Sequence, residues 1–123
     1  MPDFVETEMT VRIYHNPRCS KSRQTLALLQ ERGIEPEVVE YLKTPPGAAE
    51  LDRLLTAMGL EPRAAMRRKE AAYKELGLDD PSLDRAALIK AMVDNPILIE
   101  RPIVAKDGKA AMGRPPEAVL GIL

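Results

Sequence analysis

Cys19 is the only cysteine in the chain, and its neighbours decide what its thiol can do. It sits in the stretch Val11 to Arg23, VRIYHNPRCSKSR, which opens strand-like, breaks at Asn16-Pro17 and turns helical from about Ser20. A thiol between a strand and a helix N-terminus meets unpaired backbone N–H groups and the positive end of the helix dipole. Both favour the thiolate. The same geometry attracts oxyanions, so one loop can hold a nucleophile and an anionic substrate together. Cys19-Ser20-Lys21-Ser22 is a C-x-x-S arrangement. Serine at position 22 cannot resolve a disulfide, but its hydroxyl can hydrogen-bond a thiolate. A free thiol titrates near ~8.5 and is mostly protonated at neutral pH. The helix N-terminus, Ser22, His15, Arg18 and Lys21 are the groups available to lower it.

His15, the sole histidine, lies four residues before Cys19. It can act as a charge partner, as a hydrogen bonder that fixes the loop, or simply end the strand facing solvent. A tetrahedral oxyanion needs guanidinium donors, and Arg63, Arg101 and Arg114 each adjoin a proline. Lone arginines are usually solvated surface residues, so spacing does not assign them. Arg67, Arg68 and Lys69 read as the exposed face of a short helix.

Other chemistries lack their residues. One cysteine and one histidine cannot build a structural zinc site. Neither G-x-x-x-x-G-K-[ST] nor G-x-G-x-x-G occurs. Thr25 stands where a thiol phosphatase loop places arginine, six positions after its cysteine. The aromatics are Phe4, Tyr14, Tyr41 and Tyr73, too few for a base-stacking surface.

The elements that must position Cys19 follow in order. Val11 to His15 is a strand, Ser20 to about Arg32 a helix, and Glu37 to Tyr41 a second strand. Gly33 suits the left-handed position after the helix, with Ile34 folding back on Leu29. The intervening helix favours parallel pairing of the two strands. Thr44-Pro45-Pro46-Gly47 breaks the chain, and Ala48, Leu51, Leu55 and Met58 then share a helical face ending at Gly59. Glu61-Pro62 can start a helical piece, and Asp80-Pro81 caps a helix reaching roughly to Val93, closed by Asn95-Pro96. Arg101 to Ala105 reads as a strand. Lys106-Asp107-Gly108-Lys109 is a hairpin turn, Ala110 to Met112 returns, and a short last helix spans Glu117 to about Ile122. The order is βαβ, a helical block, then a β-hairpin and a helix. That is the order of an α/β thioredoxin-like mixed sheet with a helical insertion.

With 123 residues the chain is expected to form one domain, 11–123, behind a polar extension at 1–10. The net charge of −1 gives no pull toward nucleic acid or anionic membrane. No run approaches a membrane span, and the acidic N-terminus argues against a signal peptide. A cytoplasmic, monomeric protein with a reduced thiol is the expectation.

Tyr14-His15-Asn16-Pro17-Arg18-Cys19-Ser20-Lys21-Ser22-Arg23 resembles the active-site stretch of the glutaredoxin-dependent arsenate reductases. Arg101-Pro102-Ile103-Val104 and Gly113-Arg114-Pro115 are similar to that family's two later signatures, and Tyr41-Leu42-Lys43-Thr44-Pro45-Pro46 and Asn95-Pro96-Ile97-Leu98 also match. The resemblance covers Thr10 to Leu123 and is strongest to the short bacterial branch, which lacks a longer C-terminal tail. It implies that Cys19 attacks arsenate to form a thiol–arsenate adduct. Glutathione then attacks, and glutaredoxin resolves the glutathione-linked intermediate to release arsenite. It implies no bound cofactor; glutathione is a co-substrate. The family's oxyanion-holding arginines fall on Arg63, Arg101 and Arg114, with Arg67 as a substitute for Arg63. His15 and Ser22 match the residues that assist the cysteine, and Pro102 takes the cis-proline position facing the thiol. The residues agree independently on one point: a C-x-x-S chain with no other cysteine must borrow its resolving thiol from a partner.

Two other functions compete. Relatives in this superfamily bind RNA polymerase as regulators, but those usually carry C-x-x-C and lack a counterpart of Arg114. A thiol enzyme acting on another substrate, such as a glutathione mixed disulfide, would present the same cysteine loop.

Overall fold

Alternation of apolar and polar side chains makes Val11–His15 a strand (β1) with Val11 and Ile13 on one face. The computed structural model describes residues 11–123, so the expected extension at 1–10 lies outside the described residues. The chain divides into two compact units. One holds the described residues up to Thr44 together with Arg101–Leu123, and the other is Pro45–Glu100.

In the first unit, β1 is followed by a helix, Ser20–Glu31 (α1), and a strand, Glu37–Glu40 (β2). Gly33 takes φ 77° after the helix, and the Ile34 N–H bonds the Leu29 carbonyl at 3.0 Å, the αL stop expected from the sequence. β1 and β2 pair in parallel, Ile13 opposite Val38. The chain returns in Ile103–Lys106 (β3) and Lys109–Met112 (β4). The turn between them needs two left-handed residues, and Asp107 (φ 53°) and Gly108 (φ 78°) supply them. Strand order is β2-β1-β3-β4, with β3 antiparallel to both neighbours. This is the mixed sheet of a thioredoxin-like fold. The last helix is a 3₁₀ helix, Pro116–Ile122. It packs with α1 on the sheet through a core of Val11, Ile13, Leu29, Val104 and Val119. Each such side chain removed from water contributes about 1.5–3 kcal/mol, which makes this core the frame that holds the ends of β1 and α1 in place.

The second unit is the helical insertion: Ala48–Met58 (α2), Ala71–Glu75 (α3) and Arg85–Asp94 (α4), with 3₁₀ turns at Pro62–Ala65 and Pro96–Leu98. Leu51 and Leu55 of α2 and Leu88, Ile89 and Met92 of α4 are buried. Arg85 also joins the two helices, donating to Asp52 Oδ1 at 2.6 Å and Thr56 Oγ1 at 3.2 Å.

Two local readings of the sequence are corrected here. The cap of α4 is Asp84, whose side chain accepts from the Ala87 N–H at 2.8 Å; Asp80 instead closes a turn onto the Ser82 N–H and hydroxyl. Both aspartates can cap, and the one nearer the apolar run wins. Arg67 to Lys69 are not helical either. The Arg67 N–H bonds the Leu98 carbonyl at 2.7 Å beside a Met66–Ile99 bridge, so cross-chain pairing replaces the helical ladder. Among the described residues no helix is long and apolar enough to cross a membrane.

Gly113 follows β4 where the backbone crowds Thr25 and Pro102. A Cβ there would stand 2.5 Å from Thr25 Oγ1 and 2.8 Å from Pro102 Cγ. Neither can yield easily: Thr25 is fully buried with its hydroxyl on the Lys21 carbonyl, and a proline ring is stiff. Gly113→Ala is expected to cost about 1–3 kcal/mol, as overpacking does. A urea midpoint unchanged from the parent would contradict this contact.

Candidate active site

Cys19 is the N-cap of α1, with extended backbone (φ −97°, ψ 124°). Its side chain makes no capping bond, and the first turn carries no acidic residue. The sulfur therefore meets the helix N-terminus without a competing carboxylate. Burial of the thiol pushes its pKa up, since Cys19 is 9% exposed. The Ser22 and Lys21 amides and the charge and hydrogen bond of Arg101 outweigh that burial, so the pKa falls below the ordinary thiol value. The cation acting on the sulfur is Arg101, from the other end of the sequence, rather than the adjacent Arg18.

The loop beneath the thiol is tied from several sides. The Cys19 N–H bonds the Asn16 carbonyl at 3.0 Å, and Asn16 Oδ1 accepts from the Arg18 N–H at 3.0 Å. The Ser22 hydroxyl is fully buried. It accepts from the Asn16 N–H at 3.0 Å and lies 2.6 Å from His15 Nδ1. The sequence reading offered the Ser22 hydroxyl to the thiolate. In the structure the hydroxyl pins the loop to the end of β1 instead, and what Ser22 offers the thiolate is its backbone amide, which lowers the thiol pKa.

His15 is buried, and desolvation holds its pKa below the ordinary histidine value, with Arg23 lowering it further and Glu40 opposing. Of the three roles the sequence left open, the geometry selects the loop-fixing hydrogen bonder. A lowered histidine pKa has a consequence for stability. The unfolded chain takes up a proton near ~6.5, before the folded chain does. Stability is thus fully present above that pH and is lost as pH falls toward the folded value. The urea midpoint should drop between neutral pH and about 5, and His15→Asn should flatten that slope. An equal slope in the variant would contradict the assignment.

The Arg101–Pro102 and Arg114–Pro115 bonds are both cis. Hydrogen bonds join these segments, among them the Gly113 N–H to the Pro102 carbonyl at 2.9 Å and Arg114 Nη1 to the Arg101 carbonyl at 3.0 Å. Arg114 is exposed, whereas Nε and Nη1 of Arg101 are shielded from solvent. Arg63 belongs to the helical unit, where its Nε donates to the Leu78 carbonyl at 2.9 Å and its Nη2 to the Asp80 carbonyl at 2.6 Å. Arg67 of the same unit pairs with Glu70. Cys19, Ser22, His15, Arg101, Pro102 and Arg114 all lie in the first unit. Sequence reasoning gave no role to Asn16, Arg23 or Gly113. An Asn-Pro turn and an arginine four residues past the cysteine were the available signals for the first two.

The ArsC family matches residues 14–122. An arsenate reductase of Neisseria meningitidis is 55% identical over 92% of this chain and 97% of its own length. A protein of Escherichia coli named only as uncharacterized protein YfgD is 63% identical over 92% of this chain and 96% of its own length. A solved arsenate reductase from Vibrio cholerae superposes with a TM-score of 0.91 at 59% identity, covering 94% of this chain and 98% of that one. A match spanning the cysteine loop, the sheet and both cis-proline segments admits one conclusion: the chain belongs to the ArsC family.

Proposed function

We propose that this chain is an arsenate reductase that uses Cys19 as nucleophile, glutathione as co-substrate and a glutaredoxin for the last step. The observation behind this reading is a lone thiol shifted toward the thiolate, with a guanidinium acting on the same sulfur. Similarity to proteins named arsenate reductase supplies the substrate.

The Cys19 thiolate attacks arsenic(V). An S–As bond forms, and one arsenate oxygen leaves as water after taking up protons. Arg101, with Arg114 beside it, holds the remaining oxyanion charge. Arg63 is the third arginine that the family resemblance gives to the oxyanion; in the helical unit its guanidinium is engaged with two carbonyls. Glutathione thiolate then displaces a second oxygen, also as water, giving a Cys19–S–As–S–glutathione adduct. A glutaredoxin thiolate attacks the glutathione sulfur. The S–As bond breaks with its electron pair on arsenic, which becomes arsenic(III), and a glutathione–glutaredoxin disulfide departs. Hydrolysis of the remaining S–As bond frees arsenite and restores Cys19. Two thiols are oxidised per arsenic reduced, and neither belongs to this chain. No bound cofactor enters, and a reducing cytoplasm suits every step.

The test is arsenite formation by the purified protein with glutathione and a glutaredoxin. Turnover that needs all three and consumes two thiols per arsenite is the expected result. Absence of arsenite under these conditions, or faster turnover of a glutathione mixed disulfide than of arsenate, would overturn the reading.

A further inference from the structure

Arg23 is exposed and takes no part in the chemistry above, yet its side chain reaches back to the cysteine loop. Its Nη1 donates to the Pro17 carbonyl at 2.9 Å, and its backbone N–H bonds the Cys19 carbonyl at 3.0 Å. Pro17 lies between Asn16, pinned by Ser22, and Arg18, whose N–H is held by Asn16 Oδ1. Proline has no N–H of its own, so its carbonyl is the one backbone group through which that residue can be fastened. We infer that Arg23 is a positioning residue for the Cys19 nucleophile: it clamps the outer side of the thiol loop while Ser22 and His15 clamp the inner side.

The inference rests on Cys19 being the nucleophile of the proposed reaction, and it adds a second contribution by charge. His15 ends β1 opposite Glu40 of β2, whose carboxylate favours a protonated ring. The Arg23 guanidinium on α1 acts on the same ring in the opposite sense. A ring kept neutral carries a lone pair on one nitrogen and matches the 2.6 Å contact with the Ser22 hydroxyl without adding a buried charge. Arg23 thus supports the inner clamp electrostatically and the outer clamp by a hydrogen bond. Lysine in its place keeps the charge and loses the guanidinium donor that reaches Pro17.

The experiment compares the parent with Arg23→Ala and Arg23→Lys in two measurements that need no arsenate turnover. One is the His15 titration by NMR, and the other is the rate of Cys19 alkylation against pH. Arg23→Ala is expected to raise the His15 pKa and slow alkylation at neutral pH about three- to tenfold, the range of one ordinary hydrogen bond, because the exposed Arg23 charge is screened. Arg23→Lys is expected to restore the His15 titration while alkylation stays slow. If the parent also turns over arsenate, Arg23→Ala lowers kcat and leaves the KM for arsenate within about twofold, because Arg23 is placed on the loop and not on the anion. An alanine variant with the parent's His15 titration and alkylation profile would overturn the inference. A parent with no arsenate turnover but the predicted Arg23 effects would overturn only the substrate reading.

Discussion

Cys19→Ser is expected to abolish arsenate turnover, by on the order of 10⁴-fold or more, the scale seen when a nucleophile that acts with its partners is removed. The hydroxyl is neutral at pH 7 and cannot be brought to the anion by the amides and guanidinium that shift a thiol. Stability should be unharmed. Cys19 occupies an N-cap and makes no side-chain capping bond there. Serine is a preferred N-cap, whose oxygen can accept from an N–H of the first turn. The variant should therefore melt at the parent's temperature or slightly above it. Arsenite formation and a thermal melt on the same sample check both halves. Turnover near the parent's would remove Cys19 from the mechanism, and a collapsed melt would make it a structural residue.

Arg101→Ala is the second large effect. Arg101 is the cation that acts on the Cys19 sulfur, and it is partly buried, so its charge is less screened than that of Arg18 or Lys21 at the surface. Removing it should lower kcat/KM about 10²- to 10³-fold, as loss of one oxyanion donor does. It should also raise the apparent pKa of the thiol, since a cause that lowers it is gone. Arg101→Lys should recover part of the pKa and less of the turnover, because an ammonium lacks the planar fork. The Arg101 carbonyl, which accepts from Arg114, survives either change. An alanine variant with an unaltered alkylation profile would show that the thiol is set by the helix N-terminus alone.

The strands and their order along the chain were legible in the sequence because their signals are local. Gly33, Asp107-Gly108 and the alternation of Val11 and Ile13 each name one backbone state. The thiol loop was legible for the same reason, since a break followed by a helix start fixes where Cys19 stands. Less legible was which atom of Ser22 serves the sulfur. The spacing C-x-x-S puts both its amide and its hydroxyl within reach, and only the burial of His15 beside the hydroxyl decides between them. The cap of α4 slipped from Asp80 to Asp84 because two aspartates with equal capping ability compete, and the apolar run settles the contest. Gly113 could not be read at all: its need for a missing side chain comes from Thr25 and Pro102, remote in sequence. Arg101 was picked out by its neighbour Pro102 and by resemblance, and its reach to Cys19 is a property of the fold.

The most direct measurement is the pH dependence of Cys19 alkylation, with and without arsenate. The expected result is a midpoint below that of a free thiol, about 8.5, with alkylation slowed by the anion. An ordinary midpoint with no protection by arsenate would contradict a thiolate assembled beside an oxyanion site.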